Sequence, residues 1–294
     1  MREFAVETHT NFLIATLMTL IGDCGSTKCE WITANQTIST TGINALIMSD
    51  DEIAKILITE LAPHLSPSQI TEIHYYGAGC IGGEVNEKVG KTLKSVFQNA
   101  NHIEVQSDLI AACRALFRDT EGIACILGTG SNSCHYNGKE VVQHTMPLGY
   151  ILGDEGSGAA LGKRFVNAVL KGLLPKHICD RFFQSTNLCA SDIIQNVYRK
   201  PNANRFLASF CPLLLEMTEE KEVMELVEDE FVLFFERNIL QYSNCRKLPV
   251  SFIGSIAVNF AQALNAAAKK HGITIAETTK SPIPGLKKYH NITH

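Results

Sequence analysis

No two cysteines in this chain are spaced as Cys-x-x-Cys, although ten cysteines are present. Structural zinc sites are assembled from closely paired ligands, so the missing pairs exclude the ribbon and finger types. The thiols stand singly in apolar stretches such as Ala111–Cys113 and Cys125–Leu127, as expected of reduced core residues. Runs of Lys and Arg are missing too. With 26 basic and 30 acidic residues the formal net charge is -4, which leaves no footprint for nucleic acid or an anionic membrane. The apolar run Phe12–Ile21 is too short to span a bilayer. It is not preceded by a basic segment, and Asp23 stands directly before Cys24, where signal cleavage needs a small residue. Residues 1–17 are therefore read as an extension ahead of a first core strand opening at Met18, and a cytoplasmic location is expected. No low-complexity linker divides the chain, and no helix-turn-helix segment is read ahead of Met18.

What is present is globular. The 294 residues are 45% hydrophobic and 19% charged, enough for two domains of ordinary size. Strands are expected at Met18–Gly22, Cys29–Ala34, Thr37–Ser39, Ile73–Tyr76, Ile103–Gln106, Ile123–Leu127, Ser133–Tyr136, Val141–His144 and Pro249–Ile253. Helical spacing covers about 50–63, 84–99, the segment opened by Ser107 and Asp108, and 155–173. Helices dominate 176–243, and another runs from Gly254 to about 270. Both halves open as strand, Gly-rich turn, strand, which suggests a duplicated architecture. The boundary is placed near Asp119–Gly122, giving domains 18–120 and 121–294, with the last residues able to pack back on the first domain.

Several turns could carry chemistry. Gly22–Lys28 (GDCGSTK) gathers backbone N–H groups at the end of a strand, which suits phosphate oxygens. It is not a Walker A loop, because Thr27 and Cys29 flank Lys28 where Gly and Ser/Thr are needed. Read alone it is equally an ordinary hairpin. Gly128–Asn132 (GTGSN) repeats the pattern about a hundred residues later; two such hairpins can grip one nucleotide from both sides. In Gly149–Gly158 (GYILGDEGSG), Asp154 and Glu155 lie between glycines at a helix start, where a cap and a first-turn acid would also serve. Asp108 follows a strand and reads first as a helix cap. Phe252–Ala257 (FIGSIA) is a strand–glycine–helix junction open to a flat ligand.

In this order, GDCGSTK, TGIN, YGAG, QSD, GTGSN, GYILGDEGS and FIGS, the motifs resemble the BadF/BadG/BcrA/BcrD-type ATPase family, which includes N-acetylglucosamine kinases. The likeness runs from about Met18 to Gly285; GTGSN followed by LGDEGS is its specific part. It implies an α/β protein of two RNase H-like, actin-like ATPase domains with a nucleotide cleft between them, using ATP and Mg²⁺. By that likeness Asp23 would hold hydrated Mg²⁺. Gly25, Ser26, Thr27 and Lys28 would line one phosphate loop, and Gly128, Thr129, Gly130 and Ser131 the other. Gly254 and Ser255 would lie beside the adenosine. Asn44, Gly149, Tyr150 and Asp154 would contact the sugar, with Tyr150 standing where animal enzymes carry Trp. Asp108 would be the catalytic base and Glu155 a supporting residue. The implied reaction is phosphorylation of an amino sugar, N-acetylglucosamine first among them, to its 6-phosphate. A homodimer is usual for similar enzymes. Two other readings stay open. One is an ATPase activator of an iron–sulfur dehydratase or reductase, suggested by Cys125 three residues before Gly128. The other is a non-catalytic sugar-binding protein on the same fold.

Overall fold

The computed structural model describes residues 18–25 and 27–292, so the expectations for residues 1–17 and Ser26 lie outside the described residues. The chain divides into two compact units, one ending at Ser107 and the other beginning at Asp108.

The first unit runs β1 (Met18–Cys24), β2 (Lys28–Ile32), β3 (Thr37–Thr41), α1 (Asp50–Ile56), β4 (Ile70–Gly77), α2 (Gly83–Val96) and β5 (His102–Ser107). Its five strands are ordered β3-β2-β1-β4-β5. β1–β2 and β2–β3 are antiparallel, whereas β1–β4 and β4–β5 are parallel. Alternation sends Leu20, Trp31, Ile73 and Tyr75 to one face, where they pack with Ile53, Ile56, Val89, Leu93 and Phe97 from the helices. Helix α1 starts where Ser49 and Glu52 form a reciprocal capping box: the Ser49 hydroxyl accepts the Glu52 N–H and the Glu52 carboxylate accepts the Ser49 N–H. The expected helix over 50–63 continues from α1 as a wider π turn, Leu57–Leu61.

The second unit begins with α3 (Asp108–Phe117), then β6 (Glu121–Leu127), β7 (Ser131–Asn137) and β8 (Val141–Thr145). A long helical stretch follows: α4 (Gly149–Leu152), α5 (Gly158–Leu170), α6 (Lys176–Thr186), α7 (Ala190–Tyr198), α8 (Ala203–Ala208), α9 (Cys211–Glu216) and α10 (Lys221–Arg237). The unit closes with β9 (Val250–Ile253), α11 (Ser255–Asn259), α12 (Ala261–Lys270), β10 (Ile275–Thr279) and α13 (Ile283–Tyr289). The sheet order is β10-β9-β6-β7-β8, with the same pattern of parallel and antiparallel pairs as the first sheet. The two halves thus share one architecture.

Packing divides the chain ahead of the expected boundary at 120/121. Leu109, Cys113 and Phe117 of α3 bury themselves against Ala124, Cys134, Tyr136 and Ile253 of the second sheet, so the helix goes with the sheet it covers. The last helix packs on α3 in its turn: Gly285 lies against the Ala115 backbone, where a β-carbon would collide, and Arg114 sits 5.0 Å from the Tyr289 ring centroid. The sequence reading grouped α3 with the first domain; by packing, both α3 and the chain end belong to the second unit. The helix expected over 155–173 is α5, starting at Gly158 after the separate turn α4. Both β10 and α13 lie in a stretch where no element was expected.

Candidate active site

In the second unit, the strand end of β6 runs into Gly128–Ser131 and is fastened to the start of α5. The Gly158 N–H donates to the Gly128 carbonyl at 2.8 Å and the Ala159 N–H donates to the Thr129 carbonyl at 3.0 Å. A planar trans peptide directs its N–H opposite to its C=O. The N–H groups of Thr129 and Gly130 therefore point away from α5. Thr129 is exposed at the tip, and a β-carbon at Gly128 would meet nothing within 4 Å. Ser157 caps α5, its hydroxyl accepting the Ala160 N–H at 3.1 Å. Gly254, with φ 130°, brings the end of β9 so close to the Leu127 carbonyl that any side chain would collide.

The two neighbouring acids have different surroundings. Asp154 is buried, with a left-handed backbone at φ 55°. Its N–H donates to the Pro147 carbonyl at 2.9 Å, which closes the loop carrying Gly149 and Tyr150. Its carboxylate rests against Gly130 and accepts the Ser131 N–H. Burial pushes its pKa up to about 6; the Ser131 N–H opposes the shift and the Glu155 charge adds to it. Glu155 instead turns to the end of α10, 2.9 Å from an Arg237 guanidinium nitrogen and 3.5 Å from the Asn238 amide. A third acid, Glu230, escaped the sequence reading. It is buried within α10, where it accepts the Gly156 N–H at 3.1 Å and pairs with Arg164 at 3.4 Å. A glutamate in the otherwise apolar stripe of EFVLFFER was its only signal in the sequence.

Asp108 is the first residue of α3. Its carboxylate accepts N–H groups from Leu109 and from its own backbone, which favours the charged form, yet burial outweighs them and raises its pKa to about 6. Tyr150, with Val166, Leu170, Ile193 and Leu207, lines an apolar cavity of about 440 Å³. Lys163 reaches its carbonyl at 3.1 Å. Gly149 is exposed, with φ 74°. Ser255, at the start of α11, is also exposed. Cys125 is wholly buried in the core of the second unit, and burial pushes its thiol well above the ordinary range. A cluster shared between subunits needs an accessible thiolate, so this thiol does not suit one.

The first unit holds the other predicted residues. Gly25 and Thr27 turn their carbonyls to the N–H groups of Ile43 and Gly42, at 3.1 and 3.2 Å, so the GDCGSTK turn is held by TGIN. The exposed Lys28 pairs with Glu30 at 2.8 Å. Asp23, half-buried in β1, lies opposite Glu30 on β2 and Tyr76 on β4. Asn44 accepts the Leu46 N–H at 3.1 Å and packs on Gly79.

No family model matches the chain, and no curated protein matches it. Solved structures do. A Porphyromonas gingivalis protein described as a putative N-acetylglucosamine kinase is 43% identical, with a TM-score of 0.90 over 93% of this chain and 98% of its own. A Chromobacterium violaceum protein of the same description is 15% identical, with a TM-score of 0.68 over 94% of this chain and 99% of its own. A ROK family transcriptional regulator, a homologue of the E. coli MLC protein, is 10% identical, with a TM-score of 0.54 over 94% and 78%. The last two establish likeness of fold only.

Proposed function

The chain belongs to the N-acetylglucosamine kinase-like family of the actin-like ATPase superfamily, and from that premise we propose that it is an ATP-dependent sugar kinase acting on an amino sugar. N-acetylglucosamine, phosphorylated at its 6-hydroxyl, is the first candidate. The observation that carries this reading is the joint between Gly128–Ser131 and the start of α5, because an open, glycine-rich turn there lies directly against a buried carboxylate, Asp154. A buried charge needs partners, and sugar hydroxyls are suitable donors to it.

The chain's own groups fit a nucleotide and its cation. The N–H groups of Thr129 and Gly130 suit phosphate oxygens, and the space beside Gly128 is open. Asp23 suits hydrated Mg²⁺, with Gly25, Ser26, Thr27 and Lys28 as the other phosphate loop and Gly254 and Ser255 beside the base and ribose. Mg-ATP would supply the phosphoryl group and the divalent charge that offsets its oxygens. Asp108 would accept the proton of the attacking hydroxyl; a carboxyl held near pH 6 is a stronger base than an ordinary aspartate and is still ionised at neutral pH. Asp154 would orient the sugar, with Asn44, Gly149 and Tyr150 as further contacts, and Glu155 would hold the loop to α10.

The test is an ADP-release assay with Mg-ATP over a panel of hexoses and amino sugars. Sugar-dependent release with N-acetylglucosamine preferred is the expected result. Preference for glucosamine or glucose would overturn the named substrate, and no sugar-dependent release would overturn the kinase. A non-catalytic binder would bind sugar without releasing ADP.

A further inference from the structure

Phosphoryl transfer as argued above makes no use of a side-chain cluster on the first sheet. Alternation sends Ile73, Tyr75, Ile103 and Val105 into the core, which turns Glu72, His74, His102 and Glu104 to the opposite face. In the parallel register Glu72 stands opposite His102, and His74 stands opposite Glu104. Imidazoles and carboxylates therefore alternate in both directions.

The contacts are directional. His74 Nε2 lies 3.0 Å from Glu72 Oε1, and His74 Nδ1 lies 3.0 Å from Glu104 Oε2. The Thr19 hydroxyl donates to the other Glu72 oxygen at 3.1 Å, and the Gln106 amide donates to the other Glu104 oxygen at 3.3 Å. The His102 ring lies 5.6 Å from the His74 ring, centre to centre. One donor atom from each of Glu72, His74 and His102 falls within 4.8 Å of the others.

We propose that Glu72, His74 and His102 bind a divalent transition cation of the zinc class through one carboxylate oxygen and two imidazole nitrogens. With bonds of about 2.0–2.2 Å, tetrahedral ligand atoms stand roughly 3.3–3.5 Å apart. The His74–Glu72 pair is already near that separation, so the closing movement falls to His102. That residue is exposed and sits on the edge strand β5, where its ring has room to turn. Solvent on that side completes the coordination. A carboxylate on the far nitrogen of a ligating imidazole fixes its tautomer and raises its basicity, and Glu104 stands in that position on His74. Two nitrogen donors and one oxygen favour zinc, nickel or cobalt over magnesium or calcium, so the site is distinct from any that holds the nucleotide's Mg²⁺. An ion-pair network needs only His74 between its two glutamates; the second imidazole, opposite Glu72, supplies the third donor that a transition cation requires.

The test uses the full chain, free of any affinity tag, stripped with chelator and kept without nucleotide. Zn²⁺ is titrated calorimetrically, and Co²⁺ is followed by visible absorption. The expected result is one saturable equivalent, with the intense visible bands of tetrahedral cobalt. His102→Ala should abolish both, and Glu104→Gln should weaken binding by about 10–100-fold. Zinc should raise the melting temperature of the native protein and leave that of His102→Ala unmoved. Because His102 is exposed, this variant should melt like the native protein without metal. Absence of saturable binding would overturn the proposal. So would binding that survives both His102→Ala and Glu72→Gln, which would place the metal elsewhere.

Discussion

The two sheets share strand order and pairing, yet their second faces differ in polar content. In the second unit that face is apolar: Ala124, Cys134, Tyr136 and Ile253 are covered by α3. In the first unit the corresponding face carries the buried Ile21, Ile32 and Tyr76 but adds Thr19, Asp23, Glu30, Glu72, His74 and Glu104. Their crossovers differ as well. Between β3 and β4 the first unit has α1 and short turns of helix, whereas between β8 and β9 the second carries α4 through α10. A duplicated frame thus supplies two glycine turns, but they are fastened differently. The first is held by the backbone of Gly42 and Ile43, and the second by the start of a helix that also brings in Asp154. On the proposed function, the repeated frame would position two phosphate loops, and the unequal insertions would supply the groups that contact the sugar.

The largest expected effect lies where β5 of the first unit gives way to α3 of the second. Asp108→Asn should lower kcat by roughly 10²–10⁴-fold with little change in nucleotide binding, as for a positioned acid–base group. The raised pKa adds a signature that a helix cap would lack. A carboxyl held at about 6 when folded, against about 3.9 unfolded, stabilises the fold through its protonated form. That contribution is complete below about pH 4 and is lost as pH rises through 6. The asparagine variant should therefore melt higher than the native protein at neutral pH and about equally near pH 4. Native kcat/KM should fall as pH drops below about 6, as the base takes up its proton.

Next in size is the contrast between the neighbouring acids. Asp154→Ala should cost about 2–4 kcal/mol in kcat/KM for the sugar, or roughly 30- to 1,000-fold, measured by steady-state kinetics in both substrates. Glu155→Ala should leave the sugar KM in place and lower the melting temperature, because it strips the partner from Arg237. An Asp154→Ala enzyme that melts lower but keeps its sugar KM would reverse the two roles.

A purely structural comparison follows. Gly254→Ala would drive a methyl group into the Leu127 carbonyl at φ 130°, and about 3 kcal/mol or more of stability should be lost. Gly79, also at positive φ, meets the Asn44 side chain and the Leu46 N–H. Gly79→Ala should cost less stability, because its nearest clash is with the Asn44 side chain and the Leu46 backbone stands at 2.9 Å, whereas the Leu127 carbonyl stands far closer at Gly254. As Asn44 is the proposed sugar contact, Gly79→Ala should also weaken sugar binding. Chemical denaturation of both variants, with sugar KM for Gly79→Ala, separates the effects.

The strands and glycine turns could be read from the sequence because they depend on local chemistry: a short continuous apolar run in GIACIL, then glycines where the chain must reverse. The duplicated topology could be suspected from two such openings. The grouping of α3 could not, because the pattern DLIAACRALF states that one side is apolar without naming the sheet it covers. The strand Ile275–Thr279 was missed because Ala276 and Glu277 interrupt its apolar pattern at an exposed edge. At the candidate site, the motifs marked the turns, and the structure added the joints between them. Ser131 on Asp154 and Glu230 on Gly156 are contacts between residues far apart in the chain, with no local signature.

The smallest expected effect tests the first glycine turn against the second. Lys28 is exposed, and its pairing with Glu30 is of the solvent-screened kind that contributes about 0–1 kcal/mol. Lys28→Met should therefore leave stability within about 0.5 kcal/mol of the native value. As a phosphate contact it has a separate consequence. Losing one exposed charge from the nucleotide should weaken ATP by about 1 kcal/mol, or roughly fivefold in its KM, with the sugar KM unchanged. Because the interaction is screened, the difference should shrink as salt is raised. The second turn has no lysine and offers the backbone N–H groups of Thr129 and Gly130, so Thr129→Ala, which keeps those groups, should leave the ATP KM nearly as it was. An ATP KM unaltered by Lys28→Met at low salt would make Lys28 a surface partner of Glu30 alone and would leave phosphate recognition on the first turn to its backbone.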